Sequence, residues 1–112
     1  MLIEAFVIGQ LSALLDVPVY AEDPEDRPAR YVTVEKTGAE EERRVRRATL
    51  AVQSNAESLL AAAELNERVR EAMDRLWDCD EIASCRLETD YNWTDTSRRG
   101  YRYQGVYHVT NY

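Results

Sequence analysis

The side chains able to do acid–base or nucleophilic work are few: His108 is the only histidine, and Cys79 and Cys85 are the only cysteines. A hydrolytic or transfer enzyme needs a base beside a nucleophile. His108 stands between Tyr107 and Val109, so on a strand it faces the wet side, whereas Cys85 falls on the inward side of its own alternating segment. A Cys85–His108 dyad is therefore not expected. Cys79, Asp80, Cys85 and His108 are zinc-binding residue types, but they lack the short paired spacing of a zinc knuckle or a CxxC redox motif, so both thiols are read as free. The glycines stand singly at Gly9, Gly38, Gly100 and Gly105, which leaves no phosphate-cradling loop. Carboxylates gather at Glu22-Asp23, at Glu40-Glu41-Glu42 and at Asp78-Cys79-Asp80-Glu81. These are expected loops, where a solvated acidic face is the ordinary explanation and a weak divalent-ion contact stays open. No catalytic residue, cofactor or metal is expected, and the chain reads as a protein that works by protein–protein assembly rather than as an enzyme.

Charge narrows the partners further. Fourteen Lys and Arg against 21 Asp and Glu leave a net charge of −7, which opposes attraction to nucleic acid or to an anionic membrane face. Lys36 is the sole lysine, and the arginines cluster at Arg43-Arg44-Val45-Arg46-Arg47 and Arg98-Arg99-Gly100-Tyr101-Arg102. Such clusters are either solvated positions balanced by nearby Glu or a contact patch, for which the arginine fork suits bidentate pairing with carboxylates. Four of the seven tyrosines, Tyr101, Tyr103, Tyr107 and Tyr112, fall at the end of the sequence. A core-facing strand accounts for the first three and leaves Tyr112 for a neighbour's surface, where tyrosine is enriched.

The elements that must position these residues follow from periodicity. At 112 residues, with 45% apolar and 31% charged side chains, the chain has the size and mixture of one domain, 1–112. The opening Met-Leu-Ile-Glu-Ala-Phe-Val-Ile-Gly has no basic leader, and Glu4 interrupts its apolar run, so neither a signal peptide nor a membrane span is expected. Ile3, Phe6, Val7, Leu11, Leu14 and Leu15 gather on one side of a first helix that Val17-Pro18 should end, with Gly9 tolerated for a close backbone approach. Residues 17–21 read as a short extended stretch, and Glu22 to Pro28 as an acidic, proline-punctuated loop. Arg30 to Thr37 alternates as a strand, with Val32 and Val34 on one face and Gly38 at its end.

Residues 39–53 satisfy two patterns. Glu40/Arg44 and Glu42/Arg46 have helical spacing, but the alternation of Ala48, Leu50 and Val52 favours a hairpin with a charged tip over about residues 38–44. Ser54-Asn55-Ala56-Glu57 reads as a capping box. It opens a long helix with the stripe Leu59, Ala62, Leu65, Val69, Ala72, Met73 and Leu76 and with solvent-side pairs Glu64/Arg68 and Glu71/Arg75. In 82–93, Ala83, Cys85, Leu87, Thr89 and Tyr91 alternate inward. A closing strand carries Tyr101, Tyr103, Tyr107 and Val109 on one face, with Gly105 as a candidate bulge. The expected fold is α+β in the order α-β-β-β-α-β-β, a mainly antiparallel sheet of about five strands with two helices packed on one face.

Three stretches carry a family likeness: Tyr31-Val32-Thr33-Val34-Glu35-Lys36-Thr37-Gly38, then Arg47-Ala48-Thr49-Leu50-Ala51-Val52-Gln53-Ser54-Asn55-Ala56 leading into the long helix, and Arg102-Tyr103-Gln104-Gly105-Val106-Tyr107-His108-Val109-Thr110-Asn111-Tyr112. In layout and texture the chain resembles the small tail terminator, or tail completion, proteins of long-tailed bacteriophages and prophages, also called minor capsid or head–tail joining proteins. The resemblance implies a virion subunit, assembled in the bacterial host cytoplasm, that forms a hexameric ring on the tail tube, stops its growth and presents a surface to the head connector. Its partners would be copies of itself, the tail tube protein and the head completion protein. It carries over no catalytic residues. The chain departs from the pattern in the charge of its hairpin tip, Glu40, Glu41, Glu42, Arg43 and Arg44, for which Arg98 and Arg99 of the next subunit are candidate partners. Such contacts predict a subunit that is monomeric when dilute and closes into a ring on the tail. A small-molecule-sensing regulatory domain of ferredoxin-like type is the alternative reading.

Overall fold

Ile3, Val7 and Leu11 recur at helical spacing and are the residues that the first helix, α1 (Ile3–Leu14), buries in the computed structural model, which describes residues 1–98 and 100–112. Leu15 turns extended after donating its N–H to Leu11, and Leu14 faces outward. Gly9 lies on the exposed side with nothing within 4 Å of an added Cβ, so the close approach expected there is not made. The stripe of the second helix, α2 (Leu59–Asp74), is inward as expected: Leu65, Val69 and Met73 are fully buried, and Leu76 follows in a 3₁₀ turn, Arg75–Asp78.

The start of α2 corrects the expected capping box. Ser58, not Ser54, is the N-cap, its Oγ accepting from the Ala61 N–H at 3.1 Å. Pairing of Ala56 with Tyr101 keeps the chain extended that far, and Ser54 is buried in the strand, donating to Asn66 Oδ1 at 3.4 Å. Leu59 consequently sits in the first turn, partly exposed. The solvent-side pairs also differ: Arg68 binds Asp16 at 3.0 Å and Arg75 binds Asp78 at 3.6 Å, instead of Glu64 and Glu71.

Five strands form one mixed sheet in the order β1-β2-β3-β5-β4: β1 (Val19–Tyr20), β2 (Tyr31–Glu42), β3 (Val45–Ala56), β4 (Ile82–Asn92) and β5 (Tyr101–Asn111). Among the described residues, only the β1–β2 pair is parallel. The fold is thus α+β in the expected order, and both helices pack on one sheet face. There Ile3, Val7 and Leu11 meet Val32, Val34, Leu50 and Val52, and Leu65, Val69 and Met73 join the same cluster with Tyr107 and Val109. Each such side chain contributes roughly 1.5–3 kcal/mol by leaving water.

Gly38 does not end β2. The ladder slips at Thr37, between the Lys36–Leu50 and Gly38–Thr49 pairs, and continues to Glu42–Val45. Two more slips fall on β4, at Ala83 and Glu88. Each extra residue reverses the alternation beyond it, so Asp90 turns to the helix side beside Gly105, and Thr89 and Tyr91 face outward, opposite to the expected parity. Gly105 itself is no bulge. It sits regularly between Val52 and Asp90 beneath the Tyr107 ring, where an added Cβ would be 2.8 Å from Cε1.

Candidate functional site

The β2–β3 hairpin is longer than the layer that covers it. Every residue from Glu35 to Arg47 is exposed, and the molecule measures 44 Å along its longest axis against 25 and 24 Å across. The distal half of the hairpin is therefore an arm that the helix layer leaves uncovered; β5 pairs with it as far as Arg46–Asn111, and only Glu42 to Val45 project beyond as two strands alone. Only Arg43 and Arg44 form its turn, both at positive φ, 51° and 68°, the geometry of a type I′ turn that normally takes Asn-Gly. Holding two arginines there costs on the order of 1–3 kcal/mol each. Glu40, Glu41 and Glu42 thus belong to a strand rather than to a broad tip. Glu40 pairs with Arg47 at 2.9 Å and Glu41 with Arg46 at 3.9 Å, while Glu42 stands opposite Val45. The apex of the arm is basic.

At the other end of the sheet, the loop before β2 and the turn before β5 enclose a cleft of about 510 Å³, bordered by Arg27, Tyr31, Asn55, Glu57, Arg98 and Arg102 among others. Asp23 organises its wall. It accepts from Arg27 at 2.7 Å, from Arg98 at 3.0 Å and from the Tyr31 hydroxyl at 2.7 Å. Partial burial alone would raise the Asp23 pKa, but the hydrogen bonds from Tyr31 and Arg27 and the Arg98 charge outweigh it and hold the carboxyl below its usual value. Arg30 clamps Glu57 at 2.6 Å, and that bond, with a backbone hydrogen bond, brings Glu57 down to about 2. Arg102 stacks on Trp93, 4.4 Å from the ring centroid, and donates to the Trp93 carbonyl. Burial, and then the neighbouring Arg98 charge, lower its pKa.

Sequence reading joined Arg98 and Arg99 to the arm of a neighbour. Arg98 is engaged within its own chain, and Arg99 lies outside the described residues. Tyr112 is exposed, with its N–H donated to Glu81.

The sheet face away from the helices carries side chains bonded in rows across the strands. Thr33 donates to Gln53, Gln53 to Gln104 and Gln104 to Tyr91, at 3.0, 2.9 and 2.5 Å. A second row links Thr49 to His108 Nδ1 at 3.2 Å and His108 Nε2 to Glu88 at 3.0 Å. Hydroxyl, imidazole and carboxylate stand there in the order of a nucleophile–base–acid relay, with Thr49 and His108 on the regular β3–β5 register and Glu88 at a bulge of β4. Alternation alone puts Thr49 and His108 outward. That they meet depends on the β3–β5 register, and Glu88 arrives through its bulge, so the row was not legible beforehand.

Cys85 is buried on the helix side opposite Val109, away from His108. Burial and the Asp74 charge push its thiol up to about 12. Both cysteines are free. Among the described residues, no three His, Cys, Asp or Glu gather as a metal-binding group, and no helix is long and apolar enough to cross a membrane. Compared in sequence with protein-family models and with curated proteins, the chain matches none.

Proposed function

We propose that this chain is a structural subunit of a symmetric protein assembly, of the tail-terminator kind its sequence resembles: a ring, six-fold on that reading, that caps a phage tail tube and joins it to the head. The observation that carries the proposal is the arm. A hairpin whose distal half is exposed on both faces contributes no burial to its own core, and it is built to be covered by something else. A contact of an arm with a different surface of the next copy is heterologous, and repetition of it closes a ring when the rotation allows. No catalysis belongs to this reading, and the net charge of −7 lets DNA pass a lumen without adhering to it.

Deleting the gene from the phage or prophage that carries it tests the proposal in place. Overlong tails, unjoined to heads in electron micrographs, are expected. Normal virions would contradict it.

The cleft of about 510 Å³ favours the second reading, a ligand-sensing domain, because its volume suits a small molecule and its lining brings together charged groups of both signs, Arg27 and Arg102 with Glu25 and Asp95. A thermal-shift screen of small carboxylates and phosphates discriminates: a saturable rise in melting temperature, lost in Arg102→Ala, supports sensing.

A further inference from the structure

We propose that the diarginine apex of the arm, Arg43-Arg44, docks into the acidic groove between α2 and β4 of a second copy of this chain. The inference rests on the assembly reading above and names the contact that would build the ring. The apex is exposed, and among the described residues neither arginine has a carboxylate within ion-pair distance. A turn that would be relaxed as Asn-Gly carries two long cations instead, so the arm presents charge at a cost to its own backbone.

Two recesses are candidates to receive that charge. The cleft at the opposite end of the sheet lines Arg27, Arg98 and Arg102 against Glu25, Glu57 and Asp95, with Glu57 already held by Arg30, so it offers a diarginine apex no net negative charge. The groove between α2 and β4, about 300 Å³, has Glu67, Glu71 and Asp74 on its helix wall with Arg70 as the one cation. Its floor is Cys85, Leu87 and Tyr107, an apolar surface along which an arginine stem can lie while its guanidinium reaches the carboxylates. Burial raises the pKa of both Tyr107 and Cys85; the Asp90 charge adds to it at Tyr107, where Arg70 opposes, and the Asp74 charge adds to it at Cys85. β4 is the sheet edge away from the β1–β2 side, so apex and groove are different surfaces, and a contact between copies through them is heterologous, as a closed ring requires.

Sedimentation velocity over a concentration series at low salt, repeated at high salt, reads the contact. Wild type should self-associate in a salt-sensitive way. Arg43→Asn with Arg44→Gly should weaken association at least about tenfold, with a melting temperature equal to or above wild type, because the turn is kept. Glu67→Arg with Glu71→Arg should weaken it likewise, as should Arg43→Glu with Arg44→Glu. Neither reversed variant should associate alone, and an equimolar mixture of the two should regain association, since every apex then meets a groove of opposite sign. If the Asn-Gly variant associates like wild type, or the mixture fails to recover, this docking is overturned while the assembly reading stands. A wild type that stays monomeric at every concentration overturns this docking, and if tails in the gene deletion are also normal, the assembly reading falls with it.

Discussion

Arg47 donates to Glu40 across the arm at 2.9 Å, and one pair further out Arg46 faces Glu41 at 3.9 Å. The acidic run that the sequence shows as a charged tip is therefore half of a cross-strand ladder, which stiffens the outer edge of the sheet where β5 still pairs with Arg46 and Arg47. Both pairs are exposed, so each contributes only about 0.2–1 kcal/mol, and their effect is on the shape of the arm more than on the fold. Replacing Glu40, Glu41 and Glu42 together with Lys sets like charges opposite Arg47 and Arg46. Global melting should fall by no more than a few degrees, whereas amide exchange should accelerate selectively in residues 38–47. Tails made with this variant should be overlong or unjoined. Unchanged protection along the arm would show that the ladder does not hold it.

Gly105 and Gly9 should respond to alanine in opposite directions. Gly105→Ala drives a methyl into the Tyr107 ring, 2.8 Å away, and overpacking of this sort costs about 1–3 kcal/mol. Gly9→Ala meets nothing within 4 Å and removes a flexible residue from a helix, a gain of about 1 kcal/mol. Chemical denaturation of the two variants measures both signs. A neutral Gly105→Ala would show that the ring does not lie over that strand position.

Val69 is fully buried at the centre of the cluster shared by both helices and the sheet. Val69→Asp leaves a carboxylate there without a partner, a penalty of several kcal/mol against a total stability of roughly 5–15 kcal/mol. The variant should show no cooperative thermal transition by circular dichroism. A transition near that of wild type would put the buried face of α2 elsewhere.

Acid should loosen the cleft end of the molecule first. Glu57 and Asp23 both have carboxyl pKa values below their ordinary 4.5 and 3.8, Glu57 at about 2 through its hydrogen bond from Arg30. A depressed folded-state value means that the contribution of the group is complete above its unfolded pKa and is lost as pH falls through the folded one. Stability should therefore decline as pH drops from about 4.5 towards about 2. Glu57→Gln with Asp23→Asn should flatten that decline. An acid limb of the same slope in the double variant would assign the loss to other carboxylates.

Much of this architecture was legible in the residues. The stripe through Leu65, Val69 and Met73 and the alternation of Val32 with Val34 are local patterns, and each reported its buried face correctly. What failed was non-local. The bulges at Thr37, Ala83 and Glu88 exist only in relation to a partner strand, so the parity of Thr89, Asp90 and Tyr91 could not be read from their own segment. Ser54 and Ser58 are both competent caps, and pairing of Ala56 with Tyr101 decides between them. The Asp23 hub joins residues up to 75 positions apart, and the hairpin, though expected, was given a broad tip over about 38–44 because Gly38 reads locally as a strand end, whereas pairing with β3 carries β2 on to Glu42.

Native mass spectrometry of this chain across a concentration series, alone and with tail tube protein, tests most directly whether the arm builds a closed assembly. The expected result is monomer when dilute, converting to a single ring-sized species, six copies on the tail-terminator reading, with few intermediates and with loss of that species when the projecting Glu42–Val45 tip is replaced by an Asn-Gly turn joining Glu41 to Arg46. A monomer under all conditions, or an open series of sizes that is indifferent to removal of the arm, would contradict it.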